Sequence, residues 1–345
     1  GAPPPPFCGR CRLPVDSHDA RYAASGTLGR AAVFGRSVMR PVLRPGLRLL
    51  RDVSGQAALV DRDRAYRLDD PTAGLLERLD GLVDETAVLG LDPPPRTLRA
   101  WTRLCETGVV VDAETPLCLI REVDETRRGD ALPETTALLA DHPATAEARW
   151  RARRRSAVAV HGRGAVTSTL RTLLHRAGIG ALSTGGDADA DVDVTVLTDD
   201  HEPPTDAVER LMRAGRAHLV AGTRSGAGAV GPFVRPGVTA CLRCVDLTRC
   251  QADPLWGTLR NRLSAPEPPH HATAAPAAGV VIAATAALAA AEVLAHVEGR
   301  DPATLAASAS ITLQQPLPVL RRWPVHPSCG CGWQMQAGAR GQWTA

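Results

Sequence analysis

The chain has 345 residues, an apolar share of 44% and a formal net charge of +3. This length suffices for two domains of ordinary size, and so small a charge gives no argument for a nucleic-acid or anionic-membrane partner. All 40 basic residues are arginine, which excludes a P-loop lysine, a lysine Schiff base and a lysine general base.

The first part of the chain differs from the rest in composition. Residues 1–38 are rich in Pro, Gly, Ala and Arg without sustained periodicity, so we expect a disordered extension or a start site assigned too far upstream. They contain Cys8 and Cys11 as a lone C-x-x-C, which by itself is a weak metal signal. No basic start followed by an apolar segment precedes the nine cysteines. We therefore expect a reducing, cytoplasmic location, where paired cysteines serve metal or redox chemistry before disulfides.

Residues 39–120 carry the pattern of a small winged-helix-like domain. Two strand-like segments precede apolar residues at helical spacing, and a third helix follows a run of prolines and ends near Gly108 before a short strand. The expected elements are strands at 42–51 and 56–68, the second with a tight turn at 61–63, and helices at 71–82, at 84–90 and within 93–114.

Two uses of such a domain stay open. DNA binding would employ the basic side chains of the third helix, which are Arg96, Arg99 and Arg103. The small net charge and the use of arginine for every positive charge favour a solvated helix face instead. The other use is recognition of an extended peptide, which adds as a strand in the groove beside that helix.

A helical linker at 121–155, with an Arg-rich helix expected over 134–155, leads to a second domain at 156–333. Strand and helix alternate in this domain, which predicts an α/β fold with a degenerate Rossmann-like sheet. Residues 334–345 are interpreted as a tail. The later elements expected are a helix at 205–215, strands at 192–200 and 217–222, and an edge-like segment at 228–237.

The opening of this domain has the order strand, glycine turn, helix, strand. Gly162 and Gly164 occupy G-x-G positions and are the candidate nucleotide contacts if a nucleotide binds, whereas Thr167 replaces the third glycine. The second strand ends in "GGDADAD", which we interpret as a flexible polar loop in place of a single acidic residue that would hold a ribose. A dehydrogenase is therefore disfavoured.

One apolar segment, "AAPAAGVVIAATAALAAAEVLAHV" at 274–297, has the length of a membrane span. Proline interrupts it early, alanine dominates it, and Glu292 and His296 lie in its second half. We interpret it as a buried helix of a folded domain.

Two cysteine pairs form the strongest chemical pattern. Cys241 and Cys244 are a C-x-x-C entering a helix, and Cys329 and Cys331 are a C-x-C within "HPSCGC". Four thiolates satisfy the tetrahedral preference of Zn²⁺ and leave no position for water or substrate, so the site would be structural. His326 is an alternative ligand, and redox use of the first pair or four unrelated buried cysteines stay open.

The second domain resembles the ThiF-type fold of the ubiquitin-activating family. The matching features are "VAVHGRGAVTSTL", "LLHRAGIGAL", "CLRC", "AATAALAAAEVL" followed by "GRDP", and the late "CGC". The phrase "GAVGPFVRPGVTACLRCVDLTRCQADPLW" is similar to the ThiF-like partner proteins of thiazole/oxazole-modified microcin biosynthesis. Those proteins carry a winged-helix peptide-recognition domain before the ThiF-like domain. The resemblance covers about Met39 to Trp333.

The resemblance implies an accessory subunit without catalytic residues of its own. Adenylating members of the wider family clamp ATP with arginine and lysine, and the absence of lysine here implies that adenylation is lost and ATP is not a cofactor. The implied cofactor is a structural Zn²⁺. The implied partners are the leader of a ribosomal precursor peptide, a YcaO-type cyclodehydratase that forms azolines and, as one option, a second copy of the chain, with neither nucleic acid nor membrane.

The leader peptide is expected to add as a strand and to dock apolar side chains beside the third helix. An adenylating enzyme of the ThiF type and a winged-helix DNA-binding regulator stay open as alternative functions. The candidate contacts with the leader are Tyr66, Arg67, Leu68, Leu98, Trp101 and Leu104.

Overall fold

The computed structural model divides into two compact units, one through Ala148 and the other from Arg149 onward. The predicted extension with its Cys8–Cys11 pair and the predicted tail lie outside the described residues. The structure describes residues 39–184, 191–198, 202–263 and 277–331.

The first unit is built from short strands and helices. In chain order they are β1 (Pro41–Leu43), β2 (Leu47–Arg51), β3 (Ala57–Asp61), β4 (Arg64–Arg67), α1 (Asp70–Leu76), α2 (Glu85–Leu89), α3 (Pro95–Glu106), β5 (Val110–Asp112), α4 (Thr115–Ile120), α5 (Glu125–Asp141) and α6 (Ala146–Arg155), whose last residues belong to the second unit. An antiparallel sheet has the order β2–β3–β4, and β1 pairs separately with β5.

Two predicted elements of this unit are shorter than expected. The segment at 42–51 is not one strand, because the chain turns after β1 and the Leu47 N–H donates to the Arg44 carbonyl at 3.1 Å. The helix predicted over 71–82 ends at Leu76. Beyond it the Asp80 carboxylate accepts the Leu82 N–H at 2.8 Å and fixes a turn, as short acidic side chains do outside helices.

The single helix predicted over 134–155 is wrong. The structure has α5 and α6 instead, and α5 ends with His142 in a non-helical conformation before Pro143. A residue that precedes proline is disfavoured in the helical region, and proline itself has no N–H to continue the hydrogen-bond ladder.

The core of the first unit lies between its three-stranded sheet and its helices. Leu59, Leu75, Trp101 and Leu104 are buried there in one apolar cluster. Asp69 starts α1 by accepting the Thr72 N–H at 3.0 Å, which satisfies a donor that the first helical turn leaves without an intrahelical partner. The apolar cluster therefore lies between the sheet and helices of which α1 has a side-chain N-cap.

The second unit contains a seven-stranded sheet with the order β12–β11–β10–β9–β8–β6–β7. Strands β7, β6, β8 and β9 are parallel, and β10, β11 and β12 continue the sheet in antiparallel pairs. The elements are β6 (Ala157–Gly162), α7 (Ala165–Arg176), β7 (Ala181–Ser183), β8 (Val194–Thr198), α8 (Thr205–Arg213), β9 (His218–Arg224), β10 (Ala227–Val234), α9 (Leu242–Ala252), α10 (Pro254–Leu263), α11 (Gly279–Val297), β11 (Ala307–Ile311) and β12 (Val319–Arg322).

The segment expected to lie at an edge, 228–237, is mostly an interior strand. Its residues form β10, which pairs with β9 on one side and with β11 on the other. The interior position of β10 could not be predicted from local sequence, because its second neighbour, β11, lies far along the chain after α11. The edge position on this side of the sheet belongs to β12.

One helix among the described residues, α11, is long and apolar enough to cross a membrane. It packs against β9, β10 and α7, and Ala286, Ala289 and Val293 on it belong to the main apolar core. The buried Glu292 accepts the N–H groups of Ala303 and Thr304 at 3.2 and 2.6 Å. These contacts are those of a core helix in a folded domain, in agreement with the interpretation of this segment from sequence.

Candidate functional site

The four predicted cysteine ligands lie together. The sulfur atoms of Cys241, Cys244, Cys329 and Cys331 are all within 4.8 Å of one another. The Cys241–Cys329 and Cys244–Cys331 sulfur pairs are 3.4 and 3.3 Å apart, and Cys241–Cys244 are 3.9 Å apart. Tetrahedral thiolates at about 2.3 Å from Zn²⁺ would have sulfur atoms roughly 3.8 Å apart, so this group has the size of a four-sulfur metal site.

Local backbone structure places both pairs. Cys241 is the N-cap residue of α9 in an extended conformation, and Cys244 follows in its first turn, so one short segment turns both thiols the same way. The second pair follows a turn in which the Cys329 N–H donates to the His326 carbonyl at 3.0 Å. Gly330 between the two cysteines has φ +77°, a conformation that a residue with a side chain rarely adopts.

The cysteine group is arranged to hold negative charge at one sulfur. Burial acts to raise the pKa of Cys244, but N–H donors from the His326 and Cys241 backbones outweigh it, so the pKa lies below the usual thiol value. Burial raises the pKa of Cys331 to about 12, and burial also raises that of Cys241. All four thiols must lose their protons to bind a metal ion, and the charge of the ion would then offset the charge of the thiolates.

His326, the alternative ligand, lies beside the cysteine group and not in it. Its backbone N–H donates to the Cys244 sulfur at 3.3 Å, and its Nδ1 accepts the Ser328 N–H at 3.1 Å. The Nδ1 atom of His326 is therefore already engaged in a hydrogen bond within a turn. The contact with Cys244 is a backbone contact that any residue except proline could make.

A stack of two arginines and two tryptophans adjoins the cysteine group through Trp323, and none of the four was predicted from sequence. The buried Trp323 packs against the cysteines and donates from Nε1 to the Ser308 hydroxyl at 3.0 Å. The guanidinium carbon of Arg321 lies 4.3 Å from the Trp323 ring centroid, and that of Arg249 lies 5.6 Å from it. Arg249 also lies 4.6 Å from the ring centroid of Trp256 on α10, which is cation–π distance.

The predicted glycine turn is present, and the end of the neighbouring strand fills the space beside it. Gly162 has φ +128°, and a β-carbon added there would lie 1.6 Å from the Thr198 carbonyl oxygen. Thr167, in the place of the third glycine, shares a 2.8 Å hydrogen bond with the Thr198 hydroxyl, which donates to the His161 carbonyl at 2.8 Å. Gly162 is thus required by strand packing alone, and Gly164 is the N-cap of α7.

The candidate leader contacts divide into buried and accessible positions. Trp101 and Leu104 are 4% and 7% exposed and belong to the unit's own core, whereas Leu98 on the same helix is 44% exposed. Tyr66 and Leu68 are partly buried against that core. Leu98 is therefore the apolar member of the set that is most accessible to a ligand.

Strand β4, which carries Tyr66 and Arg67, is the last strand of its sheet. Among the strands that the structure describes, only β3 pairs with it. The Leu68 N–H donates to the Ala57 carbonyl at 2.9 Å. Because backbone direction alternates along a strand, the N–H of Ala65 points away from β3.

The structure is similar to solved enzymes at low sequence identity. E. coli MccB with MccA-N7isoASN is 15% identical with a TM-score of 0.57, over 85% of this chain and 100% of that chain. The Microcin C7 biosynthetic enzyme MccB in complex with N-formylated MccA is 16% identical with a TM-score of 0.56, over 85% of this chain and 99% of that chain. A heterocyclase in complex with substrate and cofactor is 16% identical with a TM-score of 0.62, over 85% of this chain but 40% of that chain.

These similarities show that the chain shares the fold of the MccB structures. No protein-family model matches the sequence, and no curated protein matches it at a significant level.

Proposed function

We propose that this protein is a non-adenylating, ThiF-like scaffold that binds the leader of a ribosomal precursor peptide and presents it to a YcaO-type cyclodehydratase. The partner would form azolines by closing Cys, Ser or Thr side chains onto the preceding amide with loss of one water. The chain itself supplies binding and orientation in a reducing, cytoplasmic setting. The first unit takes the winged-helix-like role in this proposal.

The observation that carries the proposal is the shared fold over 85% of the chain with a heterocyclase solved with its substrate and with MccB solved with MccA. Both neighbours span the first unit of this chain as well as the second. A function in peptide modification is therefore the one that the fold supports best. The heterocyclase is longer, since this chain covers 40% of it.

The edge of β4 supports the leader-binding part. A strand that pairs on one side only is a template for an added strand, whose backbone gains hydrogen bonds while alternate side chains enter pockets. Leu98 is exposed on the helix that packs over the same core as Tyr66. An apolar leader side chain placed against Leu98 would be removed from water, and this contributes about 25 cal/mol per Å² buried.

The filled glycine turn supports the non-adenylating part. Nucleotides in doubly wound sheets bind outside the carboxyl ends of the strands, with the phosphates at the first turn and helix N-terminus. Here the carboxyl ends of β6 and β8 are joined by the hydrogen bonds among Thr167, Thr198 and His161. With arginine as the chain's only basic residue, a lysine contact to a transferred phosphate is excluded.

The proposed cofactor is one structural Zn²⁺ held by Cys241, Cys244, Cys329 and Cys331. When bound, it would neutralise the thiolates and tie the start of α9 to the segment after β12. A closed four-sulfur shell has no position for a substrate, so the metal would stabilise the fold and leave the chemistry to the partner.

Reconstitution tests the proposal. A candidate precursor peptide and a YcaO-type enzyme would be incubated with ATP, with and without this chain, and water losses would be counted by mass spectrometry. We expect rapid dehydration with the chain present, and slow dehydration in its absence or when the leader is deleted. Equal rates with and without this chain would contradict the proposal.

A further inference from the structure

The sulfur atoms of the cysteine group form two close pairs. Cys241 and Cys329 are 3.4 Å apart and Cys244 and Cys331 are 3.3 Å apart, both less than the roughly 3.8 Å between sulfurs of a regular tetrahedral zinc site. The two sulfurs of the C-x-x-C segment, on Cys241 and Cys244, are wider apart at 3.9 Å. Each close pair therefore joins the start of α9 to the segment after β12.

Each close pair has the spacing of a disulfide that has not yet formed. The sulfur atoms of a disulfide are about 2.05 Å apart, so each close pair would need an approach of roughly 1.3 Å. Cys241 and Cys244 would need roughly 1.9 Å for a bond with each other. Disulfides in the two close pairs would connect the same two segments that a bound metal connects.

The length of chain that each bond encloses also favours the close pairs. Cys241 and Cys329 are 88 residues apart along the chain, and Cys244 and Cys331 are 87 apart. A crosslink over such a distance restricts the unfolded chain far more than one between Cys241 and Cys244. The cross-paired form is therefore the more stable oxidised product.

The cysteine group has one point of entry for an oxidant. Cys331 is partly exposed, whereas Cys241, Cys244 and Cys329 are buried. A small oxidant from solvent therefore meets Cys331 first. The sulfur of Cys244 lies nearby, at 3.3 Å, and can resolve the oxidised Cys331.

We propose that hydrogen peroxide converts the cysteine group into two disulfides, Cys241–Cys329 and Cys244–Cys331, which tie α9 to the segment after β12 without a metal. The cysteine group is then a clasp with two closed states, one with four thiolates around a metal and one with two disulfides. Since the inference concerns only these four sulfur atoms, it does not rest on leader binding.

The chemistry of each disulfide balances with one peroxide. The Cys331 thiolate donates an electron pair to a peroxide oxygen, which breaks the O–O bond, forms a sulfenic acid and releases hydroxide. The Cys244 thiolate then attacks the Cys331 sulfur and expels a second hydroxide. Two protons convert the hydroxides to water, and a second peroxide joins Cys241 to Cys329 in the same way. Because the metal ligand is the thiolate, the oxidised group no longer holds Zn²⁺.

Peptide mapping of the oxidised full chain tests the pairing. Arg243 lies between Cys241 and Cys244, whereas only Gly330 separates Cys329 from Cys331. Trypsin therefore places the first two cysteines on different peptides and the last two on one. The zinc-loaded chain would be treated with hydrogen peroxide, alkylated at its remaining thiols and digested without reduction.

We expect a single product in which all three peptides are joined, and fragmentation between Cys329 and Cys331 should identify the two proposed bonds. A chromogenic chelator should detect release of about one zinc per chain. In the presence of a chelator, the oxidised chain should have a Tm about 10 °C above that of the reduced chain. Cys331→Ser should leave only the Cys241–Cys329 bond, whereas Cys250→Ser, a matched change outside the group, should give the wild-type product.

Other products would overturn the proposal. A bond between Cys241 and Cys244 with a separate bond between Cys329 and Cys331 would show that oxidation opens the clasp. Sulfinic acids without crosslinks, or an oxidised chain with the Tm of the reduced, metal-free chain, would also contradict it. A chain that binds no zinc yet forms both proposed bonds would support this pairing and contradict the proposed cofactor, so the two proposals can fail separately.

Discussion

The sulfur atoms of Cys244 and Cys331 lie 3.3 Å apart, although 87 residues separate them along the chain. The intervening segment holds α10, α11, β11 and β12. A metal that joins these two sulfurs closes a long loop, and loop closure restricts the unfolded chain more than the folded one. A metal bound by the cysteine group would therefore tie the segment after β12 to the start of α9.

Removing one ligand should destabilise the protein strongly. We expect Cys244→Ser to lower the zinc content to well under one ion per chain and to lower the Tm by about 6–12 °C, since a loss of about 3 kcal/mol shifts a domain of roughly 200 residues by that amount. Cys250→Ser is the control, because Cys250 lies on the same helix outside the cysteine group. Metal analysis and thermal unfolding measure both effects. A zinc-free wild-type protein with the same Tm as the variant would rule the site out.

The glycine at the end of β6 should tolerate no side chain. Gly162→Ala places a β-carbon 1.6 Å from the Thr198 carbonyl oxygen, whereas Gly226, also at positive φ, has nothing within 4 Å. Both substitutions share the strain of positive φ, so their difference reports the close contact. We expect Gly162→Ala to cost about 2–3 kcal/mol more in the free energy of unfolding. Equal costs, measured by urea denaturation, would mean that the strand end does not fill this space.

Acid should weaken the second unit through a buried histidine. Burial lowers the pKa of His218 below its usual value of 6.5, and its Nε2 is buried without a hydrogen-bond partner in the described part of the chain. A group that stays neutral when folded but is protonated when unfolded stabilises the protein fully above the unfolded pKa. This contribution is lost as the pH falls below about 6.5 toward the folded pKa.

Denaturation curves between pH 7.5 and pH 5 test this pH dependence. His218→Gln should flatten the decline in unfolding free energy, because glutamine does not titrate. The control is His175→Gln, a substitution at an exposed position. It should leave the dependence of the unfolding free energy on pH as in the wild type. A slope that His218→Gln leaves unaltered would place the acid sensitivity elsewhere.

The chain alone should not activate carboxylates with ATP. ATP–pyrophosphate exchange in the presence of the precursor peptide is expected to stay at background, because the space beside Gly162 is filled and lysine is absent. Buffer without protein gives the background reference. Exchange by the purified chain above background would restore the adenylating alternative.

The sequence predicted those features that depend on a local pattern or on the residue type itself. Alternating strand and helix predicted the α/β sheet, and thiol spacing predicted the four cysteines that the structure brings together. The helix predicted over 134–155 failed because a charge pattern does not show where a chain bends, although Pro143 was a local signal for the break. Arg149 and Arg153 belong to the segment predicted as a polar linker, but both are buried in ion pairs with Glu298. This partner lies far along the chain, so no local pattern indicates it.

The unpredicted parts depend on contacts between distant segments. Trp323 stacks with Arg249, which lies before α10 and α11, and no local pattern connects them. The interior position of β10 depends on β11 in the same way. For the leader contacts, helical periodicity predicted that Trp101 and Leu104 share one face of the helix. It did not predict whether that face contacts a ligand or the core, and in the structure both side chains belong to the core of the first unit.

Direct binding of the leader peptide tests the central claim most closely. Fluorescence anisotropy would measure the affinity of the full chain for a labelled leader, with Leu98→Glu and Ala65→Pro as test variants and Val53→Glu, a fully exposed aliphatic position in the same unit, as the control. The account predicts saturable binding that each test variant weakens about tenfold or more, because Leu98→Glu charges an apolar contact and Ala65→Pro removes a backbone donor from the outer edge of β4. Binding that both test variants leave at the control's affinity, or no binding of the leader at all, would contradict it.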